Sequence, residues 1–251
     1  MFEGILIKSK SEIEAMRESG KILRDIHLLV GERLKEGMST KDIDKIAYDF
    51  ITANKAVPSF LGHGGFKGTA CVSINRELLH GIPSETKIIK SGDVVKIDLG
   101  VFYKGFHTDA ARTYAVGGGS EEDKRLIKCT EDAFFRGIEL ADPEHRLGDV
   151  CNRVGEVITA AGFGIVTAYV GHGVGAKLHE SPEIPNYGTA GRGVRLRAGM
   201  TLAIEPMVTV GSFEVSVLKD GWTVVTRDGS QCAHYENTIL ITDHGAEILT
   251  V

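Results

Sequence analysis

The segments SGDVVKID (residues 91–98) and AGMTLAIE (residues 198–205) place a glycine, an apolar strand and a terminal carboxylate in the same order. The first segment is followed by His107-Thr108-Asp109 and the second by His234-Tyr235-Glu236. Each copy therefore continues with a histidine, one further residue and another carboxylate. A site for two metal ions requires such a duplicated set of carboxylates and imidazoles, whereas a structural duplication alone does not.

The repeat extends beyond these motifs. Asp98 and Glu205 are 107 residues apart, and the same offset aligns helical segments as well as strands. This period is far longer than that of a solenoid repeat. We therefore predict one domain over residues 1–251, built from two similar halves at about 11–118 and 119–251 that meet near a pseudo-two-fold axis.

Composition narrows the class of protein. With 251 residues, of which 42% are apolar and 25% charged, the chain has the make-up of an ordinary globular protein. A net charge of −5 without a block of basic residues argues against a nucleic-acid-binding face. The apolar runs are too short for a membrane span, and the start of the chain lacks a secretory pattern. Four scattered cysteines favour a reducing compartment. We expect a cytoplasmic monomer with no membrane or specific nucleic-acid partner.

Hydrophobic periodicity predicts two helix pairs, each followed by strands. The predicted helices run from the capping box Ser11-x-x-Glu14 to Gly37, from Thr40 to about Asn54, from Ser120 to about Leu140 and from Arg146 to about Ala161. Strands are predicted at 69–75, 94–101, 106–116, 166–171, 201–204, 207–210, 213–218, 222–226 and 235–241. This order predicts an α+β fold in which the helix pairs cover the outer face of a curved antiparallel sheet and leave its inner face free.

Two carboxylates flank one predicted hairpin. Asp98 and Asp109 lie on either side of the tip Tyr103-Lys104-Gly105. A turn at 103–104 would place the two residues directly opposite each other, and a turn at 104–105 would make them diagonal neighbours. In either register they share one face of the sheet, about 4.5–8 Å apart at Cβ. Apolar neighbours bury this pair, so a cation between the carboxylates is expected.

Three further residues complete the candidate metal site. His172 lies between glycines, Glu205 ends an apolar strand, and Glu236 lies in the last long strand. With the two aspartates they carry a formal charge of about −4, which two divalent cations balance. Oxygen-rich ligation with one nitrogen suits manganese, iron, cobalt or zinc. Two ions held in this way activate water and polarise a carbonyl, and a carboxylate beside them can act as general base. The site therefore predicts a hydrolase.

Two histidines stand at the head of the two copies. His80 precedes Gly81-Ile82-Pro83, and His179 precedes Glu180-Ser181-Pro182. As free imidazoles near the metal ions they could hydrogen-bond a substrate carbonyl or the tetrahedral intermediate. Their equivalent placement favours this role over a purely structural one.

The motifs resemble those of the type I methionine aminopeptidases, which have the pita-bread (creatinase/aminopeptidase) fold. The resemblance covers nearly the whole chain. It is carried by Asp98-Leu99-Gly100, Gly105-Phe106-His107-Thr108-Asp109, Gly171-His172-Gly173-Val174-Gly175, His179-Glu180-Ser181-Pro182, Glu205-Pro206-Met207-Val208 and Tyr235-Glu236-Asn237-Thr238. More specific marks are Cys71-x-Ser73-x-Asn75, Pro185-Asn186-Tyr187-Gly188 and Asp220-Gly221-Trp222-Thr223.

The resemblance implies removal of the N-terminal methionine from nascent proteins and peptides, with two divalent ions among cobalt, manganese, iron, zinc and nickel. It implies that Asp98 and Asp109 bind mainly one ion and that His172 and Glu205 bind mainly the other. Glu236 would bridge both ions, and Glu205 would also serve as general base. Nascent chains, and with them the ribosome surface, are the expected partners.

The resemblance also implies roles around the substrate. His179 would steady the carbonyl and the developing oxyanion, and His80 would contact the scissile amide nitrogen. A tyrosine is common in the family where His63 stands, and a phenylalanine where Leu178 stands. The residues implied to line the methionine pocket are Phe60, His63, Phe66, Cys71, Leu178 and Trp222.

The alternative is an Xaa-Pro aminopeptidase or prolidase on the same fold. Prolidase-type members usually carry Glu-Pro-Gly and Arg-x-Glu-Asp in two of these motifs. This chain has Glu205-Pro206-Met207 and Ala233-His234-Tyr235-Glu236 instead. A non-catalytic relative of the fold is disfavoured because all five metal-ligand residues are present.

Overall fold

The helices begin at side-chain caps that the sequence encodes. The computed structural model describes residues 4–251, and its α-helices are α1 (Lys10–Arg33), α2 (Thr40–Ala53), α3 (Glu121–Ile138) and α4 (Leu147–Ala160). Ser39 and Asp42 form a capping box, in which each side chain accepts a bond from the backbone N–H of the other. Ser120 and Asp123 repeat this arrangement at α3. The predicted helix pairs are confirmed, with small differences at the ends.

The predicted cap of the first helix was wrong by two residues. The carboxylate of Glu12 accepts a bond of 2.6 Å from the backbone N–H of Ser9, so the helix begins at Lys10. The sequence offers the same hydroxyl-x-x-carboxylate spacing twice, and the structure uses the earlier copy. Ser11 lies inside the first turn, and Glu14 pairs with Arg17 on the helix surface instead.

Fifteen strands in the described part of the chain form one large sheet and two small ones. Their bounds are β1 (Val57–Pro58), β2 (Ala70–Ile74), β3 (Glu77–Leu79), β4 (Val94–Tyr103), β5 (Phe106–Ala115), β6 (Gly164–Ile165), β7 (Gly171–Gly173), β8 (Glu180–Ile184), β9 (Thr201–Ile204), β10 (Met207–Thr209), β11 (Val215–Val217), β12 (Val224–Thr226), β13 (Cys232–His234), β14 (Glu236–Thr242) and β15 (Gly245–Ile248). The large sheet has the order β1-β4-β5-β14-β9-β7-β8, with β2 beside β4 and β15 beside β14. The small sheets are β13-β10-β6 and β11-β12-β3. Every ladder is antiparallel.

The predicted strand at 166–171 is wrong. β6 ends at Ile165 and pairs with β10, whereas β7 begins at Gly171 and pairs with β9. The chain between them passes from a small sheet to the large one, so residues 166–170 belong to no strand, although the N–H of Val166 still donates to the carbonyl of Met207. The sequence analysis also missed the short strands β1, β3, β8, β13 and β15, whose few residues leave too little periodicity to detect.

The β4–β5 hairpin adopts the second of the two predicted registers. Lys104 and Gly105 form its turn with φ values of 50° and 89°, as a two-residue type I′ turn requires. Gly100 therefore faces Asp109, and Asp98 faces Ala111. The two aspartates are diagonal neighbours on one face of the sheet.

The helix pairs cover one face of the large sheet. Helices α1 and α2 pack on strands β2, β4 and β5 through a buried apolar cluster that includes Leu23, Ile97 and Leu99. Helices α3 and α4 contribute Phe134 and Val150 to a second cluster with β9 and β14. Successive side chains of a strand point to opposite faces, so Asp98, between Ile97 and Leu99, points to the face without helices. No helix within residues 4–251 is long and apolar enough to cross a membrane.

A buried ion pair ties the segment before α1 to the strand β8. Nζ of Lys8 lies 2.5 Å from Oε2 of Glu180, and the two side chains are only 5% and 4% exposed. The backbone N–H of Lys8 also donates to the carbonyl of Gly199. The ion pair therefore anchors the residue that directly follows His179.

We expect Lys8→Met to lower the free energy of unfolding by roughly 3–5 kcal/mol, because it leaves the carboxylate of Glu180 buried without its partner. The matched control is Lys104→Met, which breaks an ion pair with Glu18 whose side chains are 51% and 44% exposed. That change should cost less than about 1 kcal/mol. Denaturant unfolding of both variants measures the difference, and equal small losses would contradict the prediction.

Candidate metal centre

The strand registers bring the predicted carboxylates into one row across the large sheet. Ala111 of β5 faces Asp98 of β4 on one side and Glu236 of β14 on the other. The β14–β9 ladder pairs Asn237 with Ile204, which brings Glu205, the residue after β9, beside Glu236. Four neighbouring strands thus converge at one point.

The histidine of the predicted set joins this row from β7. His172 faces Ala203 of β9, two residues before Glu205. Its Nε2 lies 3.9 Å from Oδ2 of Asp109 and 3.7 Å from Oε1 of Glu205. Its Nδ1 lies 2.9 Å from the carbonyl of Gly173. That bond fixes the ring and leaves Nε2 free to face the carboxylates.

The carboxylates are buried and poorly satisfied. Asp109, Glu205 and Glu236 are 4%, 9% and 2% exposed. Oδ1 of Asp98, Oδ1 of Asp109 and Oε1 of Glu236 have no hydrogen-bond partner among the described residues. Burial raises the pKa of Asp109 to about 7. Burial and neighbouring carboxylates also raise the pKa of Asp98, Glu205 and Glu236 well above the usual range. A bound cation would remove this penalty, so the residues present fit a metal site.

The donor atoms fall into two groups that share one residue. One carboxylate oxygen each from Asp98 and Glu236 and a ring nitrogen of His234 lie within 4.8 Å of one another. Atoms from Asp109, His172 and Glu236 form the second group on the same criterion. The sequence analysis did not predict His234 as a donor, although its place two residues before Glu236 was a usable signal.

Two further predicted histidines stand beside the carboxylates. His179 stacks edge-on against His172 with ring centroids 4.4 Å apart. His80 adopts the left-handed backbone conformation at φ 56°, a strained geometry for a residue with a side chain. Burial lowers the pKa of both His80 and His179. Both rings are therefore neutral near pH 7, and each can donate or accept one hydrogen bond.

An apolar pocket opens directly from the carboxylates. Phe60, Phe66, Cys71 and Leu178 form a buried cluster, and Trp222 packs on it edge-to-face with Phe66 at 5.1 Å. A single cavity of about 300 Å³ is lined by all the predicted site residues together with Gly64 and Leu79, which the sequence analysis missed. His63 reaches this cavity as well, with its ring 5.3 Å from that of His179. The predicted metal, histidine and pocket residues thus share one space.

Comparison with known proteins agrees with this geometry. Residues 14–243 match metallopeptidase family M24. The chain is 50% identical over 247 residues to the methionine aminopeptidase of Clostridium perfringens, covering 98% of this chain and 99% of the relative. It is 47% identical over 246 residues to methionine aminopeptidase 1 of Bacillus subtilis, with 98% and 99% covered.

Solved structures give the same result. The crystal structure of the methionine aminopeptidase from Thermotoga maritima superposes with a TM-score of 0.97 at 47% identity, covering 98% of this chain and 99% of that one. The prolidase from Pyrococcus furiosus superposes with a TM-score of 0.76 at 26% identity, and only 65% of its chain is covered. The predicted pita-bread fold is confirmed, and the similarity to the prolidase is weaker in TM-score, in identity and in the share of the other chain that is covered.

Proposed function

The chain belongs to metallopeptidase family M24, among its methionine aminopeptidases, and we propose that it removes the N-terminal methionine from peptides and new proteins with the help of two divalent metal ions. The observation that carries this proposal is the shared cavity, in which five predicted ligands adjoin an apolar pocket. Asp98 and Asp109 would hold mainly one ion, and His172 and Glu205 mainly the other. Glu236 lies in both donor groups and would bridge the ions.

Two divalent ions in this site would polarise the peptide carbonyl and lower the pKa of water. The chain's own contribution begins with Glu205. It is buried beside the other donors, and burial raises the pKa of its carboxyl. A carboxylate of raised basicity suits a general base that takes a proton from the attacking water and passes it to the leaving amine.

The neutral histidines would act on the substrate. His179, in contact with the ring of His172, is placed to donate a hydrogen bond to the carbonyl oxygen as negative charge develops there. His80 lines the same cavity, with its ring 6.3 Å from that of Trp222. From there it would contact the scissile amide nitrogen. Because both rings are neutral, neither ring adds positive charge next to the metal ions.

The apolar cluster would bind the methionine side chain. Phe66 and Trp222 present ring surfaces, and Cys71 presents a thiol whose pKa is raised by burial and nearby carboxylates. Soft, polarisable surfaces of this kind favour a thioether. Leu178 and His63, where phenylalanine and tyrosine are common in the family, would change the outline of this pocket without removing its apolar lining.

We further propose a cytoplasmic protein that acts as a monomer on nascent chains, close to the ribosome surface. The four cysteines are free and buried, in keeping with a reducing compartment. Cobalt, manganese, iron, zinc and nickel all suit the donor set, and cellular availability would select among them.

A peptide comparison tests the proposed function. After removal of bound metal with a chelator, addition of manganese, iron or cobalt should restore cleavage of Met-Ala-Ser. Ala-Pro-Ala should remain uncleaved, and Gly-Ala-Ser should react far more slowly because its first residue leaves the apolar pocket empty. Cleavage of Ala-Pro-Ala alone would favour an Xaa-Pro aminopeptidase and reject the proposal.

A further inference from the structure

A second buried imidazole faces the carboxylates from β13. His234 is 1% exposed, and neither of its ring nitrogens has a hydrogen-bond partner among the described residues. Its Nε2 lies 3.4 Å from Oε2 of Glu205 and 3.7 Å from Oε2 of Glu236. Burying a polar ring without partners costs about 1–3 kcal/mol, so its position among three carboxylates requires an explanation.

The backbone holds this ring firmly in place. The hydroxyl of Thr113 on β5 donates to the carbonyl of His234 at 2.7 Å and accepts from its N–H at 3.0 Å. Met207 of β10 pairs with His234 on the other side. With the backbone fixed from both directions, the ring has little freedom to turn away from the carboxylates.

The distances around His234 match those around His172. Each imidazole has its Nε2 3.4–3.9 Å from two carboxylate oxygens. These separations exceed the usual 2.7–3.2 Å of an N–H···O hydrogen bond. They are close to the spacing of two donors on one ion, which is about 3–3.5 Å when each donor is about 2.0–2.2 Å from the metal. The geometry is that of a shared cation.

We propose that His234 is a sixth metal ligand, so that each of the two ions receives one imidazole. His234 would bind with Asp98 and Glu236, and His172 with Asp109 and Glu236, as the two donor groups place them. In this arrangement Asp109 contacts the ion of His172 as well as the ion that it shares with Asp98. This inference rests on the two-metal site of the proposed function and adds a ligand that the five-residue set does not contain. With this added ligand, the two ions have more similar ligand sets than the five-residue set implies.

Counting imidazoles by X-ray absorption tests the inference without relying on activity. The unaltered protein loaded with two cobalt ions should show one imidazole per cobalt on average, against one for every two cobalts if His172 alone binds. His234→Ala should weaken binding of one cobalt by at least about 10–100-fold, the loss found when only an outer partner of a ligand is removed. At cobalt concentrations that fill both sites of this variant, the count should fall to one imidazole for every two cobalts. His27→Gln is the matched control, because His27 is equally buried but lies on α1 and contacts the carbonyl of Ala110.

The possible failures are distinguishable. A count of one imidazole for every two cobalts in the unaltered protein would overturn the role of His234 and leave the two-metal proposal standing. Failure of the unaltered protein to bind cobalt would reject both. If His234→Ala does not fold, the count on the unaltered protein and on His234→Gln still decides the question. An unchanged count in a folded His234 variant that still holds two cobalts means that the ring binds neither ion, which contradicts the proposal.

Discussion

Replacing Asp109 with alanine is expected to abolish peptide cleavage. Asp109 is 4% exposed, and one of its oxygens has no hydrogen-bond partner among the described residues. It also faces the Nε2 of His172 at 3.9 Å. The variant would lose a carboxylate from the centre of the donor row, and binding of at least one ion should weaken by more than about 100-fold, since losing even an outer partner of a ligand costs 10–100-fold. When the pair of ions is lost, the cavity still contains Glu205 as a base. It no longer contains the metal ions that polarise the carbonyl.

Calorimetric titration of metal-free Asp109→Ala with manganese or cobalt, together with turnover of Met-Ala-Ser, measures both effects. Asp49→Ala is the control, because it also removes one negative charge but lies on the surface of α2 in an exposed pair with Lys45. The control should bind two ions and cleave the peptide normally. Near-normal turnover by Asp109→Ala would show that the ligand assignment is wrong.

His179→Ala is expected to lower kcat by roughly 10²–10³-fold, the usual effect of removing one donor to a developing oxyanion. The ring of His179 lies against His172 at 4.4 Å but is absent from both groups of donor atoms. Metal binding should therefore stay close to that of the unaltered protein. His179→Ala should thus lower kcat and keep its metal ions, whereas Asp109→Ala should lose both activity and metal. This difference distinguishes the two residues.

Measuring kcat at saturating Met-Ala-Ser, with metal content determined on the same sample, provides the test. His145→Ala is a suitable control, because His145 lies just before α4 and pairs with Asp142 away from the cavity. An unchanged kcat in His179→Ala would leave His179 with a purely structural role. A parallel loss of metal would assign it to the ion site instead.

The sequence predicted the residues of the candidate site more accurately than it predicted the bounds of the surrounding strands. Carboxylates among the apolar residues of strands are rare in buried positions unless they are paired or bind a cation, so residue type and apolar neighbours together indicated the carboxylate ligands. The registers could not be chosen in advance, because both possible turns of the β4–β5 hairpin keep Asp98 and Asp109 on one face. Only the positive φ values at Lys104 and Gly105 select between them.

Short elements set the limit of sequence reasoning. β13 has three residues, too few for a period, so the strand was not predicted and the spacing of His234 and Glu236 was the one local signal for that donor. The segment at 166–170 shows the opposite error, in which an apolar run belongs to no strand. In both cases, pairing with a segment that is distant in sequence decides whether the residues form a strand. The local sequence contains little information about that pairing.

The two halves differ in how far apart they place their paired carboxylates. Asp98 and Asp109 are 11 residues apart, whereas Glu205 and Glu236 are 31 residues apart. The extra length of the second half contains β11 and β12, and the chain reaches Trp222 just before β12 begins. The spacing of the paired carboxylates therefore differs between the two predicted halves, and the added length of the second half carries a residue of the proposed substrate pocket.

The small sheet β11-β12-β3 connects Trp222 of the proposed substrate pocket to His80. Val224, two residues after Trp222, pairs with Leu79, the residue before His80. One wall of the substrate pocket and a reactive imidazole of the opposite half are thus carried by the same ladder. An insertion or deletion in the segment that contains β12 would therefore be expected to displace His80 together with Trp222.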